Sequence, residues 1–377
     1  MACAVSESIT SPKPVDIDAI ERELAELWSE PLGGAAAGAE GMEPATRACM
    51  SNLLIWCKTQ EQARGLPIEI GAIVEKHPSR VLLLVGEPEY ENAGLSASVS
   101  AVCHPASAGG QICSEHVTLS APGSSVQRLP SIARPLLIGD LPTTLWWAAS
   151  EPPPAAGGLF DDLALMADHV IYDSAGWLDP VHGVLSVAAW EMGLETRRVV
   201  SDLAWRRGKP WRRLIGETLD PKIAPAALES IEEVEIEHGP HALPQAWFLI
   251  GWLAGRLGWQ PTAGKVAPGV EVTFGFESAR SPLRASVRRL ASGEAELSRV
   301  VIRWNGKAGK GQATFAWDGQ DRLVVLAGSS SASARVLSAR RESRASLVAR
   351  QMGKLFHDSL FRDTLSLSRR MAEALVR

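Results

Sequence analysis

The chain has little tyrosine, little net charge and no long apolar run, and each shortage narrows what it can be. A net charge of −5 over 377 residues lacks the basic excess that makes nucleic acid a default partner. The most membrane-like stretch, 242–255, is uncharged for 14 residues and then meets Arg256. A bilayer span takes about 20 predominantly apolar residues, so this stretch predicts a buried helix, and no membrane partner is expected. Residues 1–10 have neither the basic start nor the apolar core of a secretory signal. Five cysteines, Cys3, Cys49, Cys57, Cys103 and Cys113, are an odd number spread widely, the pattern of a reducing cytoplasm.

What is present is a globular composition, 46% hydrophobic and 21% charged, in a chain long enough for two domains with proper cores. Residues 16–28 space Ile17, Ile20, Leu24 and Leu27 as a helical stripe, and a Gly/Ala-rich linker follows over 31–41. Residues 44–64 carry Met50, Leu53, Leu54 and Cys57 at helical spacing, and 68–75 predicts a shorter helix ended by His77-Pro78. The apolar run 80–85 reads as a strand buried on both faces. Further strands are expected at 95–103, 111–119, 141–147 and 169–172, with helices at 124–138, 159–166 and 180–192. This alternation predicts a layered, mainly parallel α/β sheet.

Beyond about residue 201 the texture changes. Helices are expected at 211–219 and 243–257, and 231–237 alternates apolar with acidic residues. Short strands follow at 270–276, 283–290, 297–304, 312–317 and 323–326, divided by turn residues, which predicts an antiparallel meander. One or two helices close the chain over 339–376. The expected organisation is an N-terminal helix and flexible linker (1–43), an α/β domain (44–200) and an α+β domain (201–377) with antiparallel strands and basic C-terminal helices. Residues 335–377 hold ten basic and four acidic side chains, while 217–237 hold seven acidic side chains and one lysine. Such runs are solvated faces or docking surfaces for a partner.

The catalytic motifs fail one after another. Val85-Gly86-Glu87-Pro88, after the first predicted strand, puts an acid and a proline where a dinucleotide fingerprint needs glycines. The glycines at 306–311 join two strands and lack the Gly-Lys-Ser/Thr of a phosphate loop. Cys103-His104 and Cys113-x-x-His116 match no regular zinc spacing, so Cys103 and Cys113 read as structural or redox cysteines. No nucleophile elbow is present. The expectation is a chain that is not an enzyme and takes no cofactor. The alternative is an α/β enzyme that holds a sugar phosphate or nucleotide on helix N-termini, with no motif visible in sequence.

Three tryptophan-bearing or basic segments stand out among thirteen tryptophans and two tyrosines. They are His77-Pro78-Ser79-Arg80; Asp140-Leu141-Pro142-Thr143-Thr144-Leu145-Trp146-Trp147; and Asp202-Leu203-Ala204-Trp205 with Pro210-Trp211-Arg212. A Trp-Trp pair on a strand sends one ring to each face. The second indole pair flanks Arg206, Arg207 and Lys209 and either stacks or binds anions, or only caps the sheet. In this order the three segments resemble OpcA, the glucose-6-phosphate dehydrogenase assembly family. The resemblance implies a chain that binds that dehydrogenase and promotes its active form in the oxidative pentose phosphate pathway. It makes His77, Arg80, Asp140, Trp146, Trp147, Asp202, Trp205, Trp211 and Arg212 the candidate motif or interface residues. Cyanobacterial members are linked to thioredoxin-dependent control, which makes thioredoxin a second expected partner; Cys103 and Cys113 are the candidate redox cysteines.

Overall fold

The structure, a computed structural model, describes residues 13–29, 45–87, 94–105, 111–193, 198–267, 271–306, 309–318, 322–328, 335–337, 341–354 and 356–376. The expected linker at 31–41 lies outside the described residues. Both halves are mixed α/β, and helices close the chain. Among the described residues no helix is long and apolar enough to cross a membrane.

The first sheet is built from β1 (Lys13–Pro14), β2 (Ala45–Arg47), β3 (Ser51–Cys57), β4 (Ser79–Glu87), β5 (Ser96–Pro105), β6 (Gln111–Pro122), β7 (Thr143–Trp147), β8 (His169–Tyr172) and β9 (Val199–Asp202). Its order is β1-β5-β6-β4-β3-β7-β8-β9, with β2 on β6. The strands from β6 to β9 pair in parallel and β5 pairs antiparallel with β6. Counted from β3, the parallel core runs third, second, first, fourth, fifth, sixth, which is the doubly wound order of dinucleotide-binding folds. The connecting helices are α1 (Ile17–Ser29), α2 (Gln60–Arg64), α3 (Leu66–Val74), α4 (Leu129–Leu136), α5 (Gly158–Leu165) and α6 (Pro180–Gly193).

The helix expected over 44–64 is corrected, because its centre is β3 and only α2 is helical. The spacing of Met50, Leu53, Leu54 and Cys57 fits a helix. However, Asn52 to Cys57 are buried without a break, and a short continuous apolar run suits a central strand equally well. The consequence is topological, since β3 and not β4 is the first strand of the parallel core.

After β9 come α7 (Leu203–Arg207) and α8 (Lys209–Thr218), then β10 (Ile231–His238) and α9 (Leu243–Leu257). The strands β11 (Gln260–Ala267), β12 (Glu271–Glu277), β13 (Leu283–Arg289), β14 (Leu297–Gly306), β15 (Gly309–Trp317), β16 (Leu323–Gly328) and β17 (Arg335–Leu337) complete a second sheet in the order β11-β12-β13-β10-β14-β15-β16-β17. All its neighbours are antiparallel except β10 and β13. Phe274, Phe276, Val300, Ile302 and Phe315 are buried on one face. Arg303 meets Glu233 and Glu235 on the other, at 2.7 and 2.9 Å.

The last helices, α10 (Arg344–Met352) and α11 (Ser359–Val376), return to both sheets. Gly251 lets α9 and α11 approach, because a Cβ there would lie 2.9 Å from Ser368 Oγ. On the far side, Arg344 forks onto Glu69 of α3 at 2.9 and 2.5 Å, and Leu347 and Val348 join the cluster around Leu53, Ile55 and Trp146.

Arg80 holds the middle of the first sheet. Its Nε donates to the fully buried Glu115 at 2.7 Å, and its Nη1 donates to Glu21 and to the Leu136 carbonyl, both at 2.9 Å. Glu115 also meets Arg47 at 2.7 Å and accepts from Trp28 Nε1 at 2.9 Å. Removing Arg80 leaves the buried Glu115 with only the half-exposed Arg47 and the Trp28 indole, and breaking a buried pair costs about 3 to 5 kcal/mol. Urea unfolding of Arg80→Ala is expected to show that loss. Arg303→Ala, whose ion pairs are half-exposed, is expected to lose under about 1 kcal/mol. Equal losses would contradict a buried network at Arg80.

Candidate functional site

The turn that leaves the first sheet gathers more unusual chemistry than any strand end. Asp202 ends β9 and caps α7, with Oδ1 accepting from Ala204 N at 2.7 Å and Ser174 N at 3.2 Å. Capping starts the helix one residue after the strand, and this sets Trp205 one turn in, fully buried. Gly208 then lets α8 begin at once. Arg212 folds back over this turn, its guanidinium 3.3 Å above the Trp205 ring and its Nη1 donating to the Trp205 carbonyl at 2.8 Å. A Cβ on Gly208 would come within 2.8 Å of that nitrogen. Trp211 is buried edge-on to Trp317 at 6.0 Å.

The end of the chain closes the site. Asp358 accepts from Trp205 Nε1 at 3.0 Å, pairs with Arg206 at 2.9 Å and caps α11 through Phe361 N at 3.0 Å. Burial raises its carboxyl, but these donors and the Arg206 charge outweigh it and hold the group below the usual range. Between α7, α8, α10 and the second sheet lies a cavity of about 560 Å³. Eight basic side chains line it against three acidic ones. Burial, joined by the Arg206 charge, pushes the Lys354 ammonium down to about 8, and burial pushes Arg212 down to about 9.

Asp202, Trp205, Trp211 and Arg212 therefore come together. The other motif residues do not join them. Trp146 and Trp147 are core on opposite faces of β7, in separate clusters. Arg80 belongs to the Glu115 network, His77 is a half-buried residue ahead of β4, and Asp140 sits exposed in a turn at φ 64°. Cys103 and Cys113 face each other across β5 and β6 and form a disulfide. Arg206 was legible beside Arg207 and Lys209 between the two indoles, whereas Lys354, Asp358 and Trp317 were not among the expected site residues. The basic excess over 335–377 pointed only in general at the part of this wall that holds Lys354.

In a doubly wound sheet, ligands bind where the strand order reverses, which here is between β3 and β7. The turn after β3, Lys58-Thr59-Gln60-Glu61-Gln62, has no glycine. Glu87 Oε1 already accepts from Gln60 N at 2.6 Å, and Lys58 crosses to Glu151 at 2.7 Å. A carboxylate thus occupies the helix N-terminus that a pyrophosphate would need, and these residues do not fit a dinucleotide held in that way.

The fold and site define a protein with two mixed sheets on a doubly wound framework and a cation-rich cavity apart from the strand crossover. The chain belongs to the OpcA family of glucose-6-phosphate dehydrogenase subunits, whose N-terminal and C-terminal domain models match residues 71–189 and 198–365. A curated OxPP cycle protein OpcA of Nostoc punctiforme is 34% identical over 204 residues, 53% of this chain and 42% of that protein. The chain thus matches less than half the length of that relative.

Among solved structures, the transcriptional regulator Gal80p of Kluyveromyces lactis aligns with TM-score 0.50 and 11% identity, over 88% of this chain and 89% of its own. Biliverdin reductase of Synechocystis, solved with biliverdin and NADP+, aligns at 0.43 and 11% identity, over 87% of this chain and 99% of its own. Several further structures of this shape are dehydrogenases or oxidoreductases. The expectation that the chain is not an enzyme is corrected, because the first sheet has the strand order of dinucleotide-binding folds, and the glycine fingerprint was sought after β4, the second strand of the core.

Asp202 also provides a test of the buried turn. Burial, and then the charge of Asp173, push its carboxyl from 3.8 to about 7. The folded protein keeps that proton where the unfolded chain loses it, so stability present below pH 3.8 drains away as pH rises to about 7. Asp202→Asn keeps the acceptor and removes the titration. Thermal unfolding across this window is expected to fall less steeply for the variant than for the wild type. Parallel profiles would contradict the assignment.

Proposed function

We propose that the chain is a subunit that binds glucose-6-phosphate dehydrogenase and favours its active form in the oxidative pentose phosphate pathway. The observation that carries this reading is the family membership, which spans both halves of the chain. A regulator of this kind works by binding the active state more tightly than the inactive one, since only differential affinity shifts such an equilibrium. The charged outer face of the second sheet, with its alternating glutamates and arginines, supports the reading as a surface suited to a complementary partner.

Thioredoxin enters the proposal through the Cys103–Cys113 disulfide, which its dithiol would reduce to two thiols while becoming a disulfide itself. The test uses the purified full chain and dehydrogenase in size exclusion and in activity assays, with and without prior reduction by thioredoxin. Co-elution and a change in kcat or KM are expected, with reduction altering the size of that change. Separate elution together with unchanged kinetics would refute the regulatory reading.

A further inference from the structure

The cavity between α7, α8 and α10 holds more positive charge than its own carboxylates neutralise. Four of its cations have partners: Arg206 on Asp358, Arg207 on Asp173, Arg213 on Glu217, and Arg350 on Glu342. Arg341 lies 3.5 Å from Glu296. Lys209, Arg212 and Lys354 line the same space with no carboxylate at ion-pair distance among the described residues. Arg206 and Lys354 repel each other, and burial depresses both. Lys209 and Lys354 are exposed at the cavity mouth and Arg212 is half-buried, and crowded like charges are unfavourable unless an anion offsets them.

Buried polar atoms in folded proteins almost always have partners, yet three residues lining this cavity carry one without. They are Arg206 Nε, Trp317 Nε1 and Gln351 Oε1. Two are donors turned into the protein, and the Gln351 amide nitrogen donates to the Leu347 carbonyl at 3.4 Å. What faces the cavity is Lys209 and Lys354 without carboxylate partners beside the stacked Arg212, a lining suited to a group rich in acceptor oxygens. Trp252 and Trp317, both half-buried, add indole surface, and about 560 Å³ lies within the size of small-molecule sites.

We propose that this cavity binds a small phosphorylated ring compound, a sugar phosphate by chemical class. Lys209, Arg212 and Lys354 hold the phosphate, and indole surface receives the ring. A phosphate monoester supplies close to two negative charges and several acceptors, which suits this set better than a single carboxylate. The inference concerns the isolated chain and does not depend on the dehydrogenase.

Calorimetry and thermal shift on the full chain test it, with ribose 5-phosphate, inorganic phosphate, ribose and a hexaglutamate peptide as probes. Saturable binding of one ribose 5-phosphate is expected, with weaker binding of inorganic phosphate and none of ribose. Lys354→Gln is expected to weaken the sugar phosphate about tenfold or more. Its ligand-free melting temperature should equal or exceed that of the wild type, because a repelled charge is removed. Arg299→Gln, on the outer face of the second sheet, should leave the affinity unchanged. No saturable binding of ribose 5-phosphate, undiminished affinity in Lys354→Gln, or tighter binding of hexaglutamate would overturn the proposal. The last result would assign the cavity to an acidic partner segment.

Discussion

One carboxylate, Asp358, joins parts of the chain that are more than 150 residues apart. It satisfies the indole N–H of a buried tryptophan, neutralises the buried Arg206 and caps the final helix. Each of these groups would be costly to leave unpaired in the interior. The carboxylate therefore fixes where α11 begins relative to α7. The arrangement of Trp205 under Arg212, the exposure of Lys354 to the cavity and the seating of α11 on α9 all follow from that position.

The same economy joins the two sheets through buried side chains. One buried cluster runs from Leu54 and Trp147 in the first sheet through Trp205 and Trp211 to Phe274 and Phe315 in the second. Across the first sheet, α10 supplies Leu347 and Val348 to the other face and clamps Glu69 through Arg344. The tryptophans serve this construction, because a large ring with a single donor fills space and still needs only one partner. Trp147 finds the Glu151 carbonyl at 3.0 Å, and Trp205 finds Asp358.

Much of the fold was legible in the sequence because its signals are local. The strand at His169–Tyr172 and the helix at Leu243–Leu257 stand where the apolar pattern puts them. Period-two alternation alone separates Trp146 from Trp147. β3 was misread because Leu53, Leu54 and Cys57 satisfy a helical spacing inside a run that is apolar throughout. β9 and β11 were missed for different reasons: the first runs straight into α7 with no turn residue between, and the second is a largely exposed strand of small and polar residues. The site was half legible. Trp205, Trp211 and Arg212 lie within one short motif, whereas Asp358, Lys354 and Trp317 reach them only through long-range packing. Nothing in local spacing reports a partner at such a distance.

The dependence on Asp358 is open to one direct measurement, hydrogen exchange by mass spectrometry on the wild type and Asp358→Ala under native conditions. If the carboxylate couples these elements, amides in the first turn of α11 and in α8 exchange faster together in the variant, while β3 and β4 keep their protection. Faster exchange confined to the first turn of α11, with α8 unchanged, would contradict the account.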